Sequence, residues 1–285
     1  MSLHISGKTV LIPVAIVSFM AVQAACQLPA IAAVGLLYPR RHQTLPARPE
    51  NCDDRDFAGE GLTLRGWQCR AAGARRGTVI YLHGTADNRG SSIGVIRRFT
   101  AAGLDVVAYD SRRHGASEGE ICTYGYFEKL DLRRVIDALS PGPVVLFGTS
   151  LGAAVALQEA ATDPRVGGVI AVEVFSDLRT IARERVPALL PESTIRKAFA
   201  IAEARGAFRI DDVSPVKAAA SIHVPVLLIH GAEDADTPPA HSQRVLAALA
   251  GPKRLILVDG VGHNQSLNGP EVWTEIDALV RRTVK

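Results

Sequence analysis

The segment PVVLFGTSLGAAVALQEAA, residues 143–161, contains the residues best suited to chemistry. An apolar stretch, the turn Gly148-Thr149-Ser150-Leu151-Gly152 and a run of small residues predict a strand, a tight turn and a helix. In a Gly-x-Ser-x-Gly turn between a strand and a helix, the serine backbone is strained and its hydroxyl is lifted above the sheet. The two glycines are needed because the strand and helix backbones pass too close for a side chain. We therefore predict that Ser150 is a nucleophile.

A serine hydroxyl needs a base that takes its proton and a third group that orients the base. After such a turn, the acid is expected next along the chain and the histidine last. Acidic residues follow the predicted strand 224–231, and His263 follows the predicted strand 253–260. We predict His263 as the base and Asp234 as the acid. The alternatives for the acid are Asp236 and Glu233.

The negative charge that develops on a carbonyl oxygen requires hydrogen-bond donors, each worth about 3 kcal/mol. We expect these donors to be the backbone N–H groups of Leu151, directly after the serine, and of Thr85, in the loop after the predicted strand 78–83. His83 and His230 end predicted strands and are expected to pack or to hold loop backbone. The sequence has no P-loop, zinc-ligand spacing or G-x-G-x-x-G after a strand, so we expect neither a cofactor nor a metal.

From Thr78 onwards, buried strands alternate with helices, which predicts a mostly parallel central sheet with helices on both faces. The remaining predicted strands are 104–110, 143–148 and 167–175, and the predicted helices are 91–102, 126–139, 151–162, 239–249 and 270–283. Glu128 and Asp131 are predicted on the polar face of the second of these helices. The long connection at about 176–222 predicts a small helical cap over the carboxyl edge of the sheet.

Residues 51–70 predict an antiparallel hairpin with its turn at Gly59-Glu60-Gly61. This register places Cys52 and Cys69 nearly opposite each other. Facing cysteines suit a disulfide in an oxidising compartment, whereas in the cytosol they would be two free thiols.

No charged residue lies between Lys8 and Arg40, a run longer than the about 20 residues that span a bilayer. Residues 1–40 are therefore interpreted as an uncleaved membrane anchor or as a lipoprotein-type signal ending at Cys26. Residues 41–50 form a predicted linker, and residues 51–285 the globular domain. A disulfide would place this domain on the exported side of the membrane, in the cell envelope, although Arg40 and Arg41 favour the opposite orientation.

Composition limits the class of partner. The chain has 285 residues, 47% of them hydrophobic and 21% charged, which suits one packed globular domain. A net charge of +3 without a Lys/Arg block gives no reason to expect nucleic-acid binding.

These residues together resemble the α/β-hydrolase superfamily, and within it the small-cap serine hydrolases. The resemblance covers about residues 60–283 and is carried by the segments TVIYLHGTADNRG, VVAYDSRRHGASEGE, TYGYFEKLDLRRVIDAL, FGTSLG, VPVLLIHGAEDADTPP and VDGVGHN. It implies the α/β-hydrolase fold and a triad of Ser150, Asp234 and His263. It does not define the substrate, since the superfamily includes esterases, lipases, thioesterases and peptidases.

The function expected from the sequence is hydrolysis of a carboxylic ester or thioester of a small acyl substrate through an acyl-enzyme. A serine peptidase or amidase with the same machinery and a non-catalytic, membrane-tethered binding protein are the alternatives. The cap is expected to form the acyl pocket. Its predicted inward-facing residues are Ile181, Val186, Leu189, Leu190, Ile195, Phe199 and Ile201.

Overall fold

The computed structural model describes residues 27–284. Within this part of the chain, one 8-stranded sheet has the order β1-β2-β4-β3-β5-β6-β7-β8. The β1–β2 and β2–β4 pairs are antiparallel, and the other neighbouring strands are parallel. This confirms the predicted mostly parallel sheet and its N-terminal hairpin. The strands are β1 (Cys52–Ala58), β2 (Thr63–Cys69), β3 (Thr78–Leu82), β4 (Asp105–Tyr109), β5 (Val144–Thr149), β6 (Val166–Val172), β7 (Val226–Gly231) and β8 (Lys253–Val258).

Helices cover both faces of the sheet and bury two apolar clusters against it. Helices α3, α4, α7 and α8 contribute to the cluster on one face, and α2 and α9 to the cluster on the other. Strand β3 is buried along its whole length, as expected for a strand covered on both faces. The helices are α1 (residues 27–37), α2 (Ile93–Ala101), α3 (Glu128–Asp137), α4 (Leu151–Ala160), α5 (Leu178–Glu184), α6 (Glu192–Gly206), α7 (Pro215–Ala219), α8 (Ala240–Ala248) and α9 (Pro270–Thr283).

The predicted cap region contains helices of two kinds. Helices α5 and α6 bury an apolar face that includes Ile181, Ile195 and Phe199. Helix α7 packs between α4 and α8 and so belongs to the helical layer of the sheet.

Helix α1 packs on the globular domain through Ala33 and Leu37, which are fully buried. The segment that follows is held by hydrogen bonds: Arg41 donates to the Ser117 carbonyl at 2.7 Å, and Asn88 donates to the His42 carbonyl at 3.1 Å. Between residues 27 and 284, no helix combines the length and the hydropathy needed to cross a bilayer. Most of the predicted membrane segment, including the lipoprotein-type Cys26, lies outside the described residues.

In the hairpin, Cys52 is paired directly with Cys69, and their sulfur atoms are bonded to each other. Oxidation of this pair in the cell stays a prediction.

The prediction that Glu128 and Asp131 face solvent is wrong, because both are buried. Asp131 accepts two hydrogen bonds from the Arg112 guanidinium, at 2.7 and 2.8 Å. Glu128 accepts from the backbone N–H groups of Thr123 and Gly125. Their buried donors compensate for the loss of water.

Candidate active site

Ser150 lies at the turn between β5 and α4, with φ 49° and ψ −109°. A positive φ is rare for a residue with a side chain and marks local backbone strain. The glycines on either side explain how the turn fits. A Cβ on Gly148 would lie 2.3 Å from the Gly152 carbonyl oxygen, and a Cβ on Gly152 would lie 2.1 Å from the Leu82 carbonyl oxygen. The predicted strand–turn–helix geometry around Ser150 is therefore present.

Asp234 follows β7, and His263 follows β8. The Nδ1 atom of His263 lies 2.7 Å from Asp234 Oδ2, within hydrogen-bond distance. The other carboxylate oxygen of Asp234 accepts from the backbone N–H groups of Asp236 and Thr237, at 3.0 and 2.8 Å. The alternative acids, Asp236 and Glu233, have exposed side chains. Of the candidate acids, Asp234 is the one hydrogen-bonded to His263.

The buried His230 side chain supports the acid. Its Nε2 lies 2.7 Å from the Thr237 carbonyl oxygen and 3.3 Å from Asp234 Oδ2. Since both neighbours of Nε2 are acceptors, we assign the proton to this nitrogen, which leaves Nδ1 to accept from the Ser242 hydroxyl at 2.6 Å. His230 therefore holds the loop that carries Asp234, in line with the loop-holding role expected from the sequence.

The carboxylate and the imidazole shift each other's ionisation. Burial acts to raise the pKa of Asp234, but hydrogen bonds from His230, His263 and the Thr237 N–H outweigh it and hold this pKa well below its ordinary value. Burial acts to lower the pKa of His263, but the hydrogen bond to Asp234 and the nearby carboxylates raise it above its ordinary value. An imidazole beside an ionised carboxylate is arranged to act as a general base.

Glu173, the residue directly after β6, was not identified as a site residue from the sequence. Its Oε2 accepts from the Asn264 N–H at 2.7 Å, and its Oε1 accepts from the Ser266 hydroxyl at 2.6 Å. The same Oε2 lies 3.5 Å from His263 Nδ1. One signal in the sequence points to it, because Glu173 is the single charged residue in the apolar run 167–175.

The loop after β3 brings Thr85 to the serine. A Cβ on the neighbouring Gly84 would lie 3.6 Å from the Ser150 Cβ. Buried His83 fixes this loop, since its Nδ1 donates to the Gly84 carbonyl at 2.7 Å and its Nε2 accepts from the Ser111 N–H at 3.0 Å. Within residues 27–284, neither the Thr85 N–H nor the Leu151 N–H donates to another protein group. Both N–H groups thus remain available to a bound oxyanion.

Two cavities meet at Ser150, Thr85 and Arg185. The apolar cavity has a volume of about 230 Å³, and the cap, α1, Tyr124 and Phe175 form most of its wall. The polar cavity, of about 740 Å³, also contains His263 and is lined mainly by loops at the strand ends. Arg185 donates to the Asp236 carbonyl and to the Thr237 hydroxyl, at 3.3 and 3.2 Å, and so ties the cap to the acid loop.

Five of the residues predicted to face an acyl pocket line the apolar cavity: Ile181, Val186, Leu190, Ile195 and Phe199. The prediction for Leu189 is wrong, because this residue is 97% exposed. Ile201 packs against the apolar core and does not line the cavity. Helix α1 supplies wall residues that the sequence had assigned to a membrane segment: Ala32, Ala33, Gly35 and Leu36.

Glu173, Asp234 and His263 could each offer one atom to a cation, since these atoms lie within 4.8 Å of one another. The carboxylate oxygens, however, already accept hydrogen bonds from backbone and side-chain donors. Because these oxygens already accept hydrogen bonds, the three side chains are better explained as an imidazole held by two carboxylates than as a metal centre.

Two family models match the chain: serine aminopeptidase S33 over residues 73–190 and the prolyl oligopeptidase family over residues 136–264. The uncharacterized protein YqkD of Bacillus subtilis is 32% identical over 223 residues, which cover 73% of this chain and 70% of that protein. The chain belongs to the α/β-hydrolase superfamily of serine hydrolases.

Solved structures of other proteins have the same fold as this hydrolase. The esterase Pf2001 of Pyrococcus furiosus superimposes with a TM-score of 0.69 at 23% identity, covering 86% of this chain and 100% of that one. An acylaminoacyl peptidase of Pyrococcus horikoshii superimposes with a TM-score of 0.64 at 14% identity, covering 82% of this chain and 42% of the peptidase. At these identities, both structures show that the fold is shared.

Proposed function

We propose that the hydrolase cleaves a carboxylic ester or thioester of a small acyl substrate through an acyl-enzyme. The Ser150 hydroxyl oxygen attacks the acyl carbon, and its proton passes to Nε2 of His263. Asp234 holds the other ring nitrogen and stabilises the imidazolium, while the N–H groups of Leu151 and Thr85 stabilise the oxyanion. The leaving group departs with the proton from His263. Water then attacks the acyl-enzyme with the same base, which releases the acid and restores Ser150.

The observation that carries the proposal is the His263–Asp234 hydrogen bond of 2.7 Å, with His263 and Ser150 lining the same cavity. The properties of the two cavities suggest which part of the substrate each one binds. The apolar cavity suits an acyl chain, and the polar cavity suits a hydrophilic leaving group. An ester or thioester that joins an aliphatic acid to a polar alcohol or thiol fits both cavities.

A peptidase or amidase is the second candidate, because both matched family models describe peptidases. The same triad serves that reaction, and the difference lies in protonation of the leaving amine and in pocket shape. Turnover of p-nitrophenyl esters and of acyl and aminoacyl p-nitroanilides by one preparation separates the candidates. Turnover of the anilides alone would favour the peptidase.

A fluorophosphonate probe tests whether Ser150 is the nucleophile, because it phosphonylates activated serines. We expect the wild-type chain to be labelled at Ser150 and the Ser150→Ala variant to be unlabelled and inactive. Ser140→Ala, at an exposed loop position, is the matched control and should be labelled like the wild type. Turnover by a folded, homogeneous Ser150→Ala variant would exclude the assignment. An unlabelled, inactive wild type would favour the non-catalytic binding protein.

We further propose that the N-terminal segment attaches the hydrolase to a membrane, with the catalytic domain on the exported side of the cell envelope. The uncharged run between Lys8 and Arg40 supports attachment, as do exposed apolar side chains on and just after α1. These side chains are Leu28, Ile31, Val34 and Tyr38. Mass spectrometry of unreduced protein from native membranes tests the orientation. A bridged Cys52–Cys69 pair is expected, and freely alkylated thiols would favour a cytoplasmic domain.

A further inference from the structure

Glu173 is a buried carboxylate that the proposed reaction does not use. Its side chain is 1% exposed, and its backbone has a φ of 55°, which is costly for a residue with a side chain. Three hydrogen bonds reach it, from the Asn264 N–H, the Ser266 N–H and the Ser266 hydroxyl. A side chain that accepts from three donors suits an ionised carboxylate. Strain and burial together call for a functional explanation.

We infer that Glu173 is a positioning residue for catalysis, which fixes the loop carrying His263 and strengthens this histidine as a base. The inference rests on the proposed function, in which His263 takes the proton of Ser150. Glu173 itself touches neither the substrate nor the serine hydroxyl in this role. It acts through the imidazole.

The backbone around Glu173 connects the three parts of the proposed triad. The carbonyl of Val172, the preceding residue, accepts from the Ser150 N–H at 2.8 Å. The Glu173 N–H donates to the Ile229 carbonyl on β7, the strand that leads to Asp234, at 2.8 Å. The side chain reaches the loop after β8 through Asn264 and Ser266. Val172 and Glu173 together therefore contact the nucleophile turn, the acid strand and the base loop.

The Glu173 charge also acts on the imidazole directly. His263 Nδ1 lies between two carboxylates, 2.7 Å from Asp234 Oδ2 and 3.5 Å from Glu173 Oε2. A negative charge at this distance stabilises the imidazolium and raises the pKa of His263. The ionisable groups that face His263 or share its cavity are Asp234, Glu173, Asp236, Asp87, Tyr81, Arg185 and His42. Of these groups, the two buried carboxylates contact the imidazole.

Glu128 provides a matched control for a purely structural role. It is also 1% exposed, and it accepts from the Thr123 N–H, the Thr123 hydroxyl and the Gly125 N–H, all at 2.7 Å. Both glutamates thus hold a loop by two backbone donors and one hydroxyl. Glu173 additionally has an imidazole nitrogen beside it, so the effect of its charge can be separated from loop holding.

The test compares Glu173→Gln with Glu128→Gln in the full chain, in detergent solution. NMR titration of the His263 Cε1–H signal, assigned by its loss in His263→Ala, measures the pKa of the imidazole without any turnover. In Glu173→Gln we expect the midpoint to move to lower pH, and the acid limb of kcat/KM for a p-nitrophenyl ester to move with it. The plateau value of kcat should fall by less than the about 10⁴-fold loss of kcat expected when the acid itself is replaced. Glu128→Gln should leave the His263 midpoint in place.

An unmoved midpoint in folded Glu173→Gln, even with lower activity, would overturn the inference that Glu173 strengthens His263 as a base and would leave it a loop-holding residue like Glu128. If that variant does not fold, Glu173→Asp keeps the charge but withdraws it from Nδ1. Its midpoint should move in the same direction by a smaller amount, and no movement would again refute the inference. The wild-type protein could also fail to react with the fluorophosphonate probe and fail to turn over any substrate. In that case a shifted midpoint in Glu173→Gln would still support the charge effect, but the proposed function would be refuted.

Discussion

The two cavities that meet at Ser150 come from different parts of the chain. The polar cavity is formed mainly by residues at the carboxyl ends of β3, β5, β6 and β8, whose positions are fixed by hydrogen bonding within the sheet. The apolar cavity is formed by α1, α5 and α6, which pack on the sheet through side chains. The sheet therefore sets the chemistry, whereas segments added to it set the shape of the acyl site.

Backbone strain distinguishes the site from the rest of the described chain. Residues 27–284 include seven non-glycine residues with positive φ, and five of them line at least one of the two cavities. The five are Ala86, Tyr124, Ser150, Glu173 and Asn264. Such strain persists only where the surrounding contacts hold it, which here means the strand ends and their loops.

The largest expected effect concerns Asp234, the acid that is hydrogen-bonded to His263 of the polar cavity. Asp234→Asn should lower kcat by about 10⁴-fold, because an amide no longer fixes the imidazole tautomer that accepts the serine proton. Asp236→Asn is the matched control and should be mild, since its exposed side chain does not contact His263. Steady-state kinetics on one p-nitrophenyl ester measures both. The opposite ranking would move the acid to Asp236.

The second prediction concerns pH. Below the pKa of His263 the base is protonated, so kcat/KM should fall about tenfold for each pH unit on the acid side. Since neighbouring carboxylates raise this pKa, the midpoint of the acid limb should lie above the ordinary value of 6.5. A profile of kcat/KM between pH 5 and 9, with stability checked at each pH, measures it. A midpoint below 6.5 would mean that burial outweighs the carboxylates.

The third prediction changes the apolar cavity alone. Ala198 lines it from α6 and is 6% exposed, so Ala198→Phe should fill part of the acyl site. The ratio of kcat/KM for hexanoyl over acetyl ester should fall by about tenfold or more. A ratio is used because an overpacked variant can lose stability, which lowers both rates together. The exposed Ala101→Phe on α2 is the control, and an unchanged ratio in Ala198→Phe would place the acyl chain elsewhere.

The two cavities also differ in how much of them the sequence predicts. Ser150, Asp234 and His263 follow predicted strands, and parallel strands bring their carboxyl ends to one edge, so topology alone brings these residues together. Helix α1 was not predicted as a cavity wall, because an uncharged run indicates burial in an apolar environment but does not distinguish a lipid bilayer from the interior of the protein. The burial of Glu128 and the role of Glu173 were not predicted, because their donors are loop N–H groups and hydroxyls, and apolar periodicity gives no information about those donors.

The smallest expected effect is the contribution of one methylene group of the acyl chain. Each methylene that enters the apolar cavity should add about 0.8 kcal/mol of binding, or about fourfold in kcat/KM, until the cavity is full. The volume of about 230 Å³ and the aliphatic wall fit a short or medium chain. We expect kcat/KM for p-nitrophenyl esters to rise from acetyl to hexanoyl and to fall beyond decanoyl, because a closed wall excludes longer chains. A rate that still climbs at palmitoyl would mean that the cavity opens into a groove, with α1 or the cap moving aside to admit a lipid chain.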